Sequence, residues 1–277
     1  VVGDYYAKFG QGLVMWPGLS SAKNSNVLQI RKRSQGIKPY TSGNENNYLR
    51  GVATTLHWKR LQVSGFVSAK KIDAAIADTV NNQLVVSSFP ESGYHITTSE
   101  LENENAAKEL SIGGNVSYNH RQFTLGYNIL HTRYDVSIDK NTKPYNQFQQ
   151  IPSANINTSL NYLFMLNKFR FFGESAISKN LSMAFVHGVL FNASSAISLS
   201  LLHRDIERSY YAKYSNAFTE NSQTANEKGL YLGMEIRPFT RCKLSGYFDT
   251  FSFPWLRYRT NAPSAGNSVF LQVNYTL

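Results

Sequence analysis

Cysteine is almost missing from this chain: Cys242 is the one thiol in 277 residues. That excludes a disulfide within the chain and a cysteine-ligated metal site. No run of 18 apolar residues occurs, so no transmembrane helix is encoded. Acidic residues are few beside basic ones, 18 against 28, leaving a formal charge of +10. The basic residues are spread along the chain, apart from one cluster at Arg31-Lys32-Arg33. Charge alone therefore does not choose between nucleic acid, anionic lipid headgroups, anionic solutes and plain solubility. No signal peptide opens the sequence, and residues 1–6 already read as part of a strand. A mature secreted protein could begin so, but a segment of a longer polypeptide is the stronger expectation.

What the chain does have is aromatic rings and a rhythm. There are 17 Tyr and 17 Phe. Segments of about ten residues alternate apolar and polar positions, the period of a strand with one buried face. In 109–118, Leu110, Ile112, Val116 and Tyr118 oppose Ser111, Gly113, Asn115 and Ser117. In 229–237, Leu230, Leu232, Met234 and Ile236 oppose Tyr231, Gly233, Glu235 and Arg237. Counting 1–15 as the first gives twelve such strands. The gaps between them alternate in length. Lys59-Arg60, Asn119-His120-Arg121, Asn167-Lys168, Ala193-Ser194-Ser195 and Thr240-Arg241 are tight, whereas 17–46, 72–108, 137–153, 207–228 and 252–267 are long. Lys179-Asn180 is the awkward short join on the long side. A sandwich has no reason to sort its loops this way. A transmembrane antiparallel β-barrel with short periplasmic turns and long extracellular loops does. The expected fold is thus all-β, one such barrel over 1–277, located in a bacterial outer membrane. A soluble β-sandwich or repeat protein is the alternative. Mean hydropathy is −0.33, which a barrel tolerates because only every second strand residue meets lipid.

Aromatic residues near strand ends, among them Tyr48, Trp58, Tyr118, Tyr162, Phe169, Tyr210, Tyr211, Phe239, Phe253, Trp255 and Tyr275, suit rings at headgroup level. The polar faces carry Arg50, Lys70, Arg170, Arg204, Arg237 and Lys243 against Glu174, Glu235 and Asp249. In a barrel these point into the lumen, and salt bridges there are the preferred reading over a solute-selecting constriction. Glu45 and Arg50 are expected to pair and to fix loop 17–46.

The first 135 residues carry a resemblance. The runs Gly3-Asp4-Tyr5-Tyr6-Ala7-Lys8-Phe9-Gly10-Gln11-Gly12-Leu13, Pro39-Tyr40-Thr41-Ser42-Gly43-Asn44-Glu45, Leu49-Arg50-Gly51-Val52-Ala53, Ser68-Ala69-Lys70-Lys71-Ile72-Asp73-Ala74 and Gly93-Tyr94-His95-Ile96-Thr97-Thr98-Ser99-Glu100-Leu101 follow one another. This order resembles the barrel region of Bacteroidota outer-membrane proteins that carry helix-hairpin-helix domains. The resemblance implies periplasmic DNA-binding modules ahead of the barrel. No such module is among these residues, so DNA binding would rest on other residues.

Few constellations suggest chemistry. Phe9-Gly10-Gln11-Gly12 is Gly-rich but opens no helix, so close packing of strand glycines is expected in place of a phosphate cradle. His95, Thr97, Ser99 and Glu100 form the one stretch joining His, hydroxyls and a carboxylate. A hydrolase built on His95 and Ser99 is conceivable, but a short helical lid with Ser99 as N-cap and Glu102 completing a capping box is preferred. The six His show no metal spacing, and no metal or cofactor is expected. Expected partners are outer-membrane lipid or lipopolysaccharide and envelope proteins. The expected function is non-enzymatic: a channel or transport component, or else a plugged barrel serving as a scaffold.

Overall fold

The computed structural model describes residues 1–18, 23–42, 48–80, 83–90, 95–139 and 142–276. Its strands are β1 (Val2–Lys8), β2 (Gly36–Pro39), β3 (Leu49–Trp58), β4 (Leu61–Ile72), β5 (Ala75–Val80), β6 (Gln83–Ser88), β7 (Ala107–Asn119), β8 (Phe123–Tyr134), β9 (Ser137–Ile138), β10 (Ala154–Leu166), β11 (Phe169–Ser178), β12 (Met183–Asn192), β13 (Ile197–Ile206), β14 (Glu227–Phe239), β15 (Cys242–Phe253) and β16 (Ser264–Tyr275). One short helix, α1 (Thr98–Asn103), precedes β7. Thirteen strands form one antiparallel sheet in the order β16-β15-β14-β13-β12-β11-β10-β8-β7-β4-β3-β1-β2. The twelve strands expected from periodicity are all there, and β2 is the addition. The first is shorter than expected. It ends at Lys8, because Gly10 and Gly12 adopt φ of +64° and +88° and turn the chain inward.

The sheet is a meander, so successive connections fall on opposite sides. The tight turns at 59–60, 120–122, 167–168, 193–196 and 240–241 share one end. Lys59 and Asn167 take positive φ there, as tight hairpins require. The opposite end gathers the long connections and the short 179–182 join. Part of that end is capped by a second sheet, in which β6 pairs with β5 antiparallel and with β9 parallel.

Burial alternates along nearly every long strand. On β7 Ala107, Glu109 and Ser111 are buried while Lys108, Leu110 and Ile112 are exposed. The exposed face is apolar: Leu56, Val63, Ile112, Val116, Leu125, Leu160, Leu232, Met234 and Phe248 are 43–67 % exposed. A water-soluble domain does not leave so large a contiguous apolar surface uncovered. His187 and His203, directly opposed on β12 and β13, interrupt it, with His187 hydrogen-bonded to Tyr162 (3.1 Å) and Ser175 (3.3 Å).

The buried face encloses residues 9–18, 23–33 and 207–226. These reach Glu109 on β7, Asn155 on β10, Glu174 on β11, Ser200 on β13 and Asp249 on β15. β7 and β15 stand seven ladder steps apart, about 34 Å in a flat sheet. Two short segments meet both strands because the sheet curls around them into a barrel wall. Among the described residues no ladder joins β16 to β1 or β2, so the wall has a seam.

Candidate functional site

Two stretches of the chain itself enter the interior at the long-loop end, leaving a pocket of about 910 Å³ lined by residues of both, Trp16 and Tyr211 among them. Gly10-Gln11-Gly12-Leu13 forms a tight turn whose N–H groups point at one carboxylate. Gln11 N–H donates to Glu174 Oε2 at 2.6 Å and Leu13 N–H at 3.1 Å. The Gly-rich loop is therefore an anion nest after all, and the anion it holds is internal. A Cβ on Gly10 would lie 2.6 Å from Glu174 Oε2, so the approach needs glycine. The other carboxylate oxygen accepts from Ser159 Oγ at 2.6 Å. Behind it, Asn128 donates to Ser159 Oγ (2.9 Å) and Asn115 to Asn128 Oδ1 (2.7 Å). This polar row runs across β7, β8, β10 and β11 and fixes Glu174 from the wall side, while the nest fixes it from the plug side. Tyr210 Oη completes the junction by donating to the Leu13 carbonyl at 2.9 Å.

A second anchor is ionic. Arg204, fully buried, donates Nε to Glu227 Oε1 at 2.5 Å and its two terminal nitrogens to Asp249 at 2.8 and 3.0 Å. The bidentate fork suits guanidinium geometry. Gly229 makes room for it, since a Cβ there would run into the Arg204 guanidinium. Glu227 also accepts from the backbone of Glu220 and Asn221 (2.8–3.0 Å), and Lys23 bridges Glu220 and Asp249 at 2.5 and 3.1 Å. A buried ion cluster of this kind contributes little net stability as a whole, yet losing one member strands the others, at a cost of about 3–5 kcal/mol. It therefore specifies where segment 207–226 sits. A third anchor is the hydrogen bond from Tyr214 Oη to Glu109, which Ser111 also supports at 3.1 Å. Burial holds the phenols of Tyr210 and Tyr214 well above their usual pKa, which keeps both as donors.

Lys32 lies in the same plug. Its ammonium donates to the Asn216 carbonyl and stands 4.9 Å from the Trp16 ring. Burial pushes its pKa down to about 7; nearby Glu174 pulls the other way and Lys8 adds to the depression. Toward the tight-turn end, burial and the neighbouring Arg33 and Arg170 lower the Arg31 pKa. A basic underside thus faces the lower lumen.

The sequence-based site residues divide as follows. Glu174, Arg204 and Asp249 are wholly buried lumen residues and anchor the plug. Lys70 also points inward, donating to the Tyr48 carbonyl at 2.9 Å. Glu235 faces the lumen nearer the tight-turn end, paired with Arg237 (2.9 Å) and Lys243 (2.7 Å), and Arg170 is exposed beneath the plug. Arg50 differs from expectation. It lies on the outward face, where Leu49 and Ala53 take the buried positions of β3, and it pairs with Asp4 at 2.7 and 3.0 Å across the β1–β3 ladder. Glu45 lies outside the described residues. The helix in the 95–105 stretch is present, but Thr97 is its N-cap: Glu100 N–H donates to Thr97 Oγ1 (3.3 Å) and the Glu100 carboxylate accepts from Thr97 N–H (2.9 Å). Ser99 is thus inside the first turn, bonded to Thr97 Oγ1 at 3.3 Å. His95 bonds Asp73 at 2.9 Å, which ties the helix entry to the end of β4. Of the aromatic residues at strand ends, Trp58, Tyr118, Phe169, Phe239 and Tyr275 are 36–69 % exposed at the tight-turn end. Tyr210 and Phe253, at the other end, are buried in the interior. Tyr48, Tyr162, Tyr211 and Trp255 are half-buried.

Glu109, Tyr214, Glu227 and the nest amides of Gln11 and Leu13 escaped the sequence reading. The Gly10/Gly12 pair was the available signal. No family model and no curated protein matches the chain. Among solved structures, a mutant of the Rh. blastica porin is 9 % identical over 80 % of this chain and 73 % of that one, with a TM-score of 0.33. Wzi, an Escherichia coli outer membrane protein involved in group 1 capsule assembly and described as a carbohydrate-binding β-barrel, is 10 % identical over 84 % of this chain and 68 % of that one, with a TM-score of 0.31. Likeness at this level does not separate one β-rich architecture from another.

Proposed function

We propose that this chain is a plugged β-barrel of a bacterial outer membrane, a closed envelope scaffold and not a constitutively open channel or a hydrolase. The membrane reading is supported by an outward face whose mid-strand positions are mainly apolar from β3 round to β16, His187 and His203 apart, by loops sorted to one end, and by aromatic rings exposed at the other. The plugged reading is carried by one observation: the Glu174 carboxylate is held at once by wall and plug. Twelve strands enclose more room than their own side chains fill, and here residues 9–18, 23–33 and 207–226 occupy part of that room. Three separate anchors fasten the plug to the wall at the long-loop end.

Conductance in planar bilayers tests this. The wild-type chain is expected to give no steady open level. A variant lacking 9–33, with a short Gly-Ser link in its place, is expected to conduct. A stable open level in the wild type would sink the plugged reading and leave a channel.

A further inference from the structure

The outward face carries charge at its long-loop rim, and two of those charges are answered on the spot: Arg50 by Asp4, and Lys228 by Asp205 at 3.0 Å. On β4, β7 and β8 the pattern differs. Lys71 and Lys108 are direct cross-strand partners. Arg133 lies opposite Leu110, two residues along β7 on the same face. All three side chains are exposed, and none takes part in an ion pair among the described residues. Asp135, the nearby carboxylate, accepts instead from the Lys108 backbone N–H at 2.7 Å. Like charges set directly opposite on paired strands repel and destabilise the pair. Three cations around one point, none of them in an ion pair among the described residues, suit an anionic group.

The surroundings identify it. A hollow of about 450 Å³ opens between the three cations, with Asp135 as well as Ala69 and Leu110 in its lining. Directly toward the tight-turn end begin the exposed apolar residues Val67, Ile112 and Ile129, 42–46 % exposed. We propose that this hollow seats the phosphorylated headgroup of a membrane lipid. The Arg133 fork takes two phosphate oxygens, Lys71 and Lys108 close on the rest as point charges, and the acyl chains lie on Val67, Ile112 and Ile129. A soluble phosphate would use the cations alone and leave the apolar surface uncovered. The inference rests on the membrane reading above, because that reading puts this rim at headgroup level.

The test uses the whole chain reconstituted in phosphatidylcholine vesicles, with and without 20 mol% phosphatidate, and in phosphatidylcholine with inorganic phosphate outside. Co-flotation with phosphatidylcholine vesicles reports the membrane reading by itself, and the triad is not expected to affect it. Phosphatidate is expected to raise the Tm of the wild type by on the order of 3 °C. The triple variant Lys71→Gln, Lys108→Gln, Arg133→Gln should float equally well and lose most of that rise. A control triple variant at the opposite rim, Lys59→Gln, Arg60→Gln, Arg121→Gln, should keep it. An undiminished rise in the first variant, an equal loss in the control, or an equal rise from inorganic phosphate would each overturn the lipid seat. Failure to float would overturn the membrane reading and the seat with it.

Discussion

At the scale of single residues the interior is a set of charges and donors brought from far apart in sequence. Gln11 and Glu174 are 163 positions apart, Tyr214 and Glu109 are 105. Lys32 is the member whose state water pH can reach. Its folded pKa is depressed to about 7, whereas a lysine in an unfolded chain titrates near 10.5. Between those two values the unfolded chain holds a proton that the folded chain has released. Unfolding takes up protons in that window, so stability rises with pH across it. The slope attributable to Lys32 approaches about 1.4 kcal/mol per pH unit at most. Tyr210 and Tyr214 work in the opposite sense: each stays neutral in the fold while an unfolded tyrosine begins to ionise near pH 10. The measurement therefore belongs between pH 7 and 9. Urea unfolding of the wild type in vesicles is expected to shift to higher midpoint over that range, and Lys32→Met should flatten the shift. Parallel curves for the two proteins would show that Lys32 does not carry it.

At the scale of elements, the strands were legible because period-two alternation is a local property. Leu230, Leu232, Met234 and Ile236 can all face outward on β14 only if the segment is extended, so four residues settle the matter. The limits of β1 were less legible. Leu13 through Trp16 is as apolar as any strand, but in the fold all four are buried, which no alternating strand allows. The positive φ of Gly10 and Gly12 ends the strand, and the reason for the turn is a carboxylate on β11. The helix cap shows the same limit. Thr97-x-x-Glu100 and Ser99-x-x-Glu102 have equal spacing, and the choice between them is made by Asp73 gripping His95, a contact across 22 positions. Arg50 was placed inward because it is charged, and Asp4 on the neighbouring strand gave it an outward partner instead. The outward face itself yields a sharp prediction. Leu232 sits in mid-strand between Leu201 and Phe248, and it is 48 % exposed. On a soluble protein, exchanging such an exposed leucine for arginine changes stability by no more than about 0.5 kcal/mol. At the midplane of a bilayer it costs about 2–4 kcal/mol. Leu232→Arg is expected to show the larger loss in urea titrations of folding into phosphatidylcholine vesicles. A loss within the smaller range would contradict lipid exposure of β14.

At the scale of the whole molecule the seam is the feature that a bilayer cannot leave as it stands. Among the described residues β16 pairs with β15 alone. Its outward residues Val269, Leu271 and Val273 are 61–77 % exposed, against 37 % for Leu201 and 48 % for Leu232, which have strands on both sides. On the other flank, Val1 donates to the Ala53 carbonyl and the β1–β3 register runs from Val2↔Val52 to Tyr5↔Leu49. Every second amide and carbonyl along such an edge points away from the neighbouring strand. In water those groups are hydrated, but in hydrocarbon each costs several kcal/mol, and open sheet edges do not occur there. Twelve residues of β16 are thus too costly to bury in lipid unpaired. On the membrane reading that edge must be paired with a strand, while the plug is held by contacts to β7, β11, β13 and β15. Amide hydrogen exchange distinguishes the two conditions. In vesicles the β16 amides of 264–275 are expected to exchange as slowly as those of β14, whereas in detergent micelles, where water reaches the edge, the half pointing away from β15 should exchange faster. Rapid exchange of that half in vesicles, with β14 protected, would mean that the edge stays wet, and the sheet would then not be sealed in the bilayer.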